Sequence, residues 1–513
     1  MVVDSKRIAK NSLLLYIRMI VLMLVALYTS RIVLSALGVE DFGLYNVVGG
    51  VVVVLSFLNG TLSTASSRYI VVAFGEGDRQ RMQLVFSNVF IMNALLAVIV
   101  FTLAETIGLW FLNNKMQIPA DRFHAVSWVY QISIVTVIVN ILSVPYNALI
   151  IAHERMKAFA YISLLDAFGK LAIAYVLQVI LFDRLIAYAL LLLLIQILDR
   201  VVYTWYSLTN FDETRMKLKI DKKLCRNMLG FISWSSYGSF VSVGFTQGLN
   251  ILLNLFFDPF VNAARGIAVQ VQNNVVAFTN NFQMALNPQL MMATSQKQYA
   301  DAQKIFISGS KFSFYMLCAI GIPIIAETHI IIDFWLGVEP DYVIPFCRII
   351  LITSVFGCLA APLRIVNQAE GNIKKFQLYE CTTLLTIVPL SYICLCIWEL
   401  PIIVFCVHFI IEMIAQFIRL KIVLPKIQLS IGQYMKQIYL RIIPVFIFPV
   451  CIAILINNIL QESFVRFVLN CCLIEISVMV LVYFIGLTTM EREYVLSLLK
   501  HKLRLNEKDT KYF

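Results

Sequence analysis

Charge is scarce in this chain. Only 14% of its 513 residues are Asp, Glu, Lys or Arg, and no polar stretch is long enough to form a soluble domain of ordinary composition. Catalytic signatures are missing too. There is no His-Glu-x-x-His, no Gly-x-x-x-x-Gly-Lys-Ser/Thr loop, and the five histidines (His124, His153, His329, His408 and His501) are scattered. Gly75-Glu76-Gly77 reads as a loop, not a nucleotide fingerprint. None of the eleven cysteines stands in a Cys-x-x-Cys pair, and those in apolar runs, such as Cys318, Cys358, Cys381, Cys406, Cys471 and Cys472, read as small buried hydrophobes. These absences exclude a zinc hydrolase, a dithiol redox centre and an ATP-driven pump, and no cofactor is expected.

What is present is apolar sequence, 60% of the chain. A spanning helix needs about 20 apolar residues. On that measure about fourteen spans are predicted, roughly 11–36, 43–72, 84–111, 124–150, 157–181, 185–207, 229–256, 260–289, 304–327, 343–367, 377–397, 401–423, 439–459 and 465–487. The short basic N-terminus leads into an apolar run too long for a signal-peptide core, so it reads as a retained first span. The fold class expected is an all-α polytopic membrane protein.

The net charge of +11 resides in alternate loops rather than in a nucleic-acid-binding face, and no nucleic-acid partner is expected. One set carries Lys6, Arg7 and Lys10, then Arg79 and Arg81, Arg155 and Lys157, the run from Arg215 to Arg226, Lys374 and Lys375, and a basic tail. The other set carries Glu40, Asp41, Asp258, Asp333, Glu399 and Glu462, with Lys115, Arg122, Arg184 and Arg466 as exceptions. Cytoplasmic loops collect Lys and Arg, so both termini are placed in the cytoplasm, in keeping with an even number of spans. The basic connector suggests an organisation of residues 1–209 as a first six-helix lobe, 210–228 as the linker and 229–425 as a second lobe. Residues 426–488 form an interfacial stretch and a final helix pair, and 489–513 a basic tail. Asp41-Phe42-Gly43 and Asp258-Pro259-Phe260 open corresponding helices of the two halves, a faint internal repeat.

Several cations lie inside the apolar runs: Arg18, Arg31, Arg68, Lys170, Arg265, Arg348 and Arg364. A charge near the bilayer centre costs about 2.5–3.5 kcal/mol on insertion scales and usually faces a bundle interior or a watery cavity. Arginine clamps phosphate in bidentate fashion, so Arg18, Arg68 and Arg265 are candidates to bind a phosphate-bearing polyanion. Arg31, Arg348 and Arg364 lie near span ends, where snorkelling to the interface competes, and Asp166 stands one turn from Lys170, able to pair with it. Gln247, Asn250 and Asn254 share one helix face, as do Arg265 and Gln272; these amides suit sugar hydroxyls or bonds between helices. Asp166, Glu380, Glu412 and Glu475 are intramembrane carboxylates; each could bind a coupling ion (Asp166 and Glu412 the leading pair) or make a structural ion pair. Gly49, Gly50 and Gly60 are expected to interrupt span two, Pro288 to end span eight, and Pro323, Pro362 and Pro389 to break later spans.

The opening Lys10-Asn11-Ser12, the stretch Leu37-Gly38-Val39-Glu40-Asp41-Phe42-Gly43-Leu44-Tyr45, the Ser66-Ser67-Arg68-Tyr69 end of span two, and Asn262-Ala263-Ala264-Arg265-Gly266 through Asn287-Pro288-Gln289 resemble the Wzx-type polysaccharide flippases. Those belong to the multidrug/oligosaccharidyl-lipid/polysaccharide (MOP) exporter superfamily. The resemblance runs over the whole chain. It implies six plus six helices with two more at the C-terminus, in a bacterial inner membrane. It also implies a central cationic cavity, with bases at Arg18, Arg68 and Arg265, that moves an undecaprenyl-pyrophosphate-linked oligosaccharide between leaflets, ahead of a polysaccharide polymerase. A lipid II flippase or a multidrug exporter of the same fold is the alternative. A membrane glycan polymerase is disfavoured, because the longest outer loop, about Thr328 to Tyr342, carries only His329 as a candidate base.

Overall fold

The computed structural model describes residues 5–115, 121–214, 220–257, 259–336, 341–489 and 491–493. Among them the chain is helical and contains no strand. In order, the helices are α1 (Ser5–Glu76), α2 (Arg79–Leu103), α3 (Leu109–Lys115), α4 (Phe123–Ala152), α5 (Met156–Val179), α6 (Arg184–Asn210), α7 (Lys222–Phe256), α8 (Pro259–Ser295) and α9 (Tyr299–Ala326). They continue with α10 (Thr328–Leu336), α11 (Val343–Gly357), α12 (Ala360–Glu370), α13 (Lys374–Leu385), α14 (Ile387–Trp398), α15 (Ile403–Val423), α16 (Ile431–Tyr434), α17 (Leu440–Ile459) and α18 (Phe464–Leu481).

Nine helical stretches among the described residues are long and apolar enough to cross a membrane, or ten if the bent pair α11–α12 is one span. α7 and α8, of 35 and 37 residues, are also long enough but are not among them. α8 is rich in Asn and Gln, as suits a helix that faces protein or water. Large apolar side chains stand fully outward, among them Phe334 at 92% exposed, Val179 at 79% and Phe464 at 74%. Asn88, Ser310, Lys311, Arg419 and Asn470 are buried. An apolar outside around polar interior groups is what a lipid solvent selects. The chain is thus an all-α polytopic membrane fold.

Helix breaks follow local chemistry. Within α1 the one non-helical residue described is Gly38 (φ 80°, ψ 169°), a conformation open to glycine, between the first two predicted spans. α11 and α12 bend by 41° at Cys358–Leu359, four to three residues ahead of Pro362. α13 gives way to α14 at Thr386, three ahead of Pro389. In each case proline lacks the N–H that would bond the carbonyl four residues back. Pro288 behaves otherwise. It does not end its span; α8 runs on to Ser295, because one lost bond in a long packed helix kinks rather than terminates it.

Contacts divide the chain into two compact units: Met1–Gly244 with Met284–Ala302 and Ile365–Thr382, and Phe245–Gln283 with Gln303–Arg364 and Thr383–Phe513. In the first, a core of Leu15, Leu62, Phe86, Leu149 and Phe231 takes in Met291 and Met292 from the C-terminal half of α8, Ala369 from α12 and Ile373. In the second, Leu253, Ala264, Phe346, Phe405 and Ala415 centre the core.

Three of the four cations that break the loop-charge pattern are explained. Arg122 binds Asp41 bidentately and Asp183 at 2.8 Å. Arg184 donates to the Ala36 carbonyl at 2.9 Å. Arg466 binds Glu327 at 3.0 Å and Glu462 at 3.2 Å. Paired or capping a helix end, these cations carry little topological weight. The Lys115 side chain lies outside the described residues.

Candidate functional site

In the second unit, α8 turns Gln272, Thr279, Asn280 and Gln283 to one side, at spacings that keep them on one helix face. They line a cavity of about 250 Å³ with Thr353 and Ser354 of α11, Arg364 of α12, and His408 and Glu412 of α15. Gln272 Nε2 donates to Ser354 Oγ at 2.7 Å, and Gln283 Nε2 to Ser313 Oγ at 3.2 Å. The polarity of α8 therefore serves both bonds between helices and the cavity wall. Glu412 is held by Arg419, whose Nη1 and Nη2 lie 2.6 and 3.4 Å from its two oxygens. Arg419 is wholly buried. Glu412 and Arg419 thus compensate one another's charge, and Arg364 and His408 lie on the same cavity wall.

Arg265 lies on α8 beside α7. Only 7% exposed, it donates to the Asn250 side-chain oxygen and to the Thr246 carbonyl (3.1 Å), while its Nε has no hydrogen-bond partner. Asn250 in turn donates to Gln247 Oε1 at 2.9 Å. Arg265, Asn250 and Gln247 thus form one chain of bonds, and no carboxylate is paired with Arg265 among the described residues. A buried guanidinium held by neutral acceptors keeps its full positive charge available to an anion. Arg31 and Asn254 lie on helices, but their side chains fall outside the described residues.

The remaining candidates lie in the first unit. Arg18 sits over the Phe159 ring, 4.5 Å from its centroid, and its Nε and Nη1 are buried without hydrogen-bond partners. Lys170 binds Asp166 at 2.8 Å across one helical turn, the pairing its spacing allowed. Asp199 of α6, which the sequence reading passed over, is 8% exposed, and its Oδ1, like that of Asp166, is buried without a hydrogen-bond partner. Arg68 is 8% exposed and stands apart from Arg18, bonded to backbone at the end of α12: Nε donates to the Gln368 carbonyl at 2.5 Å and Nη2 to that of Ala369 at 3.4 Å.

Three further buried charges were not singled out from sequence. Lys311, fully buried on α9, binds Glu491 at 2.7 Å. Arg419 could have been found from Glu412, seven residues earlier and on the same face. Nothing local marks Glu327, which Arg466 and Asn470 meet from α18.

No protein-family model matches this chain, and no curated protein does. Solved structures do match in fold. A crystal structure of a MATE P26A mutant superposes with a TM-score of 0.72 at 16% identity, covering 82% of this chain and 96% of that one. An outward-facing multidrug resistance MATE family transporter of the MOP superfamily gives 0.68 at 17% identity, with the same coverage. A MOP superfamily transporter from Pyrococcus furiosus, described as having a binding pocket of reverse polarity, gives 0.69 at 16%, again over 82% and 96%. The chain therefore has the fold of the MATE transporters of the MOP superfamily.

Proposed function

We propose that this protein is a membrane transporter of the MOP class that flips an undecaprenyl-pyrophosphate-linked oligosaccharide across a bacterial inner membrane, for surface polysaccharide assembly. Arg265 carries the reading: a buried guanidinium with only neutral partners, next to the amide-lined face of α8. A cationic drug would be repelled there, whereas a pyrophosphate would be held by the guanidinium and its sugars by Gln272, Asn280 and the hydroxyls of α11. Within the first unit, Arg18 has two buried nitrogens without hydrogen-bond partners and is a separate candidate for anion binding. Lobe rocking would expose the cargo to each side in turn. A polysaccharide polymerase would then consume it.

Multidrug export is the second reading, favoured by what the multidrug resistance neighbour is described as doing. The Pyrococcus protein is described as having a pocket of reverse polarity that suggests a different function for that protein. The two readings part in one experiment. In a strain lacking the gene, complete repeat units trapped on undecaprenyl pyrophosphate in the inner leaflet are expected. An unchanged lipid-linked glycan profile together with raised drug sensitivity would replace the flippase reading with export.

A further inference from the structure

A second polar cavity, of about 670 Å³, opens at the basic end of the first unit. Its walls include Arg68 and Tyr69 of α1, Arg226, Phe231 and Trp234 of α7, and Lys374 of α13. Three features set it apart from a solvated charged surface. Its cations lie over rings: the Arg68 guanidinium is 4.5 Å from the Tyr69 centroid and 5.2 Å from that of Phe231, and Lys374 Nζ is 5.5 Å from that of Trp234. Its carboxylates are outnumbered. Glu76 is bonded by Arg81, which leaves Glu370 against Arg68, Arg226 and Lys374. And Arg68 is anchored on the α12 carbonyls, so its charge is fixed rather than sweeping through solvent. With Nε and Nη2 held by carbonyls, Arg68 keeps Nη1 for an anion, and Arg226 and Lys374 add two further cations that bind phosphate.

We infer that this cavity is a loading site for the phosphate-bearing sugar headgroup of a membrane lipid, distinct from the Arg265 region and occupied before translocation. The inference rests on the glycolipid reading above and adds where the headgroup first docks. Arg226 and Lys374 are exposed side chains, so their removal leaves the core intact.

The test uses the full chain in nanodiscs of zwitterionic lipid, with Trp234 fluorescence as the signal and Trp234→Phe as the blank. The probes are undecaprenyl pyrophosphate, inorganic pyrophosphate and phosphatidylglycerol. Undecaprenyl pyrophosphate is expected to change the signal in the wild type but not in Trp234→Phe, and to bind about tenfold more weakly in Arg226→Ala/Lys374→Ala. A response to inorganic pyrophosphate of equal affinity would assign the site to free phosphate compounds and overturn the lipid headgroup. An equal response to phosphatidylglycerol would reduce the cavity to general attraction for anionic lipid, and unchanged binding in the double variant would also overturn the site. Reconstituted flipping is scored separately. Binding without flipping would sink the transport reading and leave the site standing, while wild-type flipping in the double variant would do the reverse.

Discussion

Gly371 and Arg68 share one small volume. Gly371 follows the last turn of α12 with φ +90°, and its N–H donates to the Gln368 carbonyl that also receives Arg68 Nε. A Cβ at position 371 would fall inside the Arg68 guanidinium. Glycine is needed there twice over, for its left-handed backbone and for the space it leaves.

Gly371→Ala is accordingly expected to cost about 2–3 kcal/mol, combining backbone strain with eviction of Arg68. Because both effects meet at one contact, Arg68→Ala should add less in the Gly371→Ala background than alone. Thermal unfolding of the four purified proteins gives the cycle; strict additivity would show that the two residues do not interact.

Glu412 and Arg419 behave as a structural pair. Arg419→Ala strands a buried carboxylate and should lower stability by about 3 kcal/mol, and Glu412→Gln/Arg419→Gln should recover much of that loss. An ion-coupling Glu412 would give another pattern, with Glu412→Gln stable but inactive, read from protein yield against transport rate.

In the second unit, Glu327 has a fully buried side chain that receives hydrogen bonds from Arg466 and Asn470. Glu327→Ala is expected to cost about 3 kcal/mol by leaving Arg466 with the half-exposed Glu462 as its carboxylate partner. A melting temperature equal to that of the wild type would show that water already satisfies Arg466.

Arg265→Lys keeps the charge and loses the planar fork that reaches Asn250 and the Thr246 carbonyl at once. Under the flippase proposal, transport should fall about tenfold, the factor that 1.4 kcal/mol commands, with protein level unchanged. Full activity in the lysine variant would mean that charge alone suffices.

His153 supplies a pH dependence outside the spans. It sits in the turn after α4, with ring centroids 4.1 Å from Phe211 and 4.3 Å from Phe74. Burial holds its pKa below the usual value, and Arg155 pushes the same way, against the pull of Glu213. The folded protein thus binds the proton more weakly than the unfolded chain, whose histidine titrates near 6.5. Stability is complete above about pH 6.5 and falls as the pH drops below it. Urea or thermal titration from pH 7.5 to 5 should show this slope, and His153→Gln should flatten it.

The sequence by itself determined the class of the molecule. Apolar runs of about 20 residues must become helices in lipid, because no water is there to take the backbone bonds. Local pairs were equally legible. Lys170 and Asp166 stand one turn apart, and Pro362 and Pro389 mark breaks three to four residues before themselves, since both effects act within a single helix. Only the tertiary structure decided the partners of the cations. Arg68 lines a cavity and also meets carbonyls 300 and 301 residues away. Lys311 finds Glu491 across 180 residues, and Arg466 finds Glu327 across 139. An intramembrane charge must be compensated, but periodicity says only which face it occupies. Whether an anion, a carboxylate or the end of another helix compensates it depends on which helices pack together.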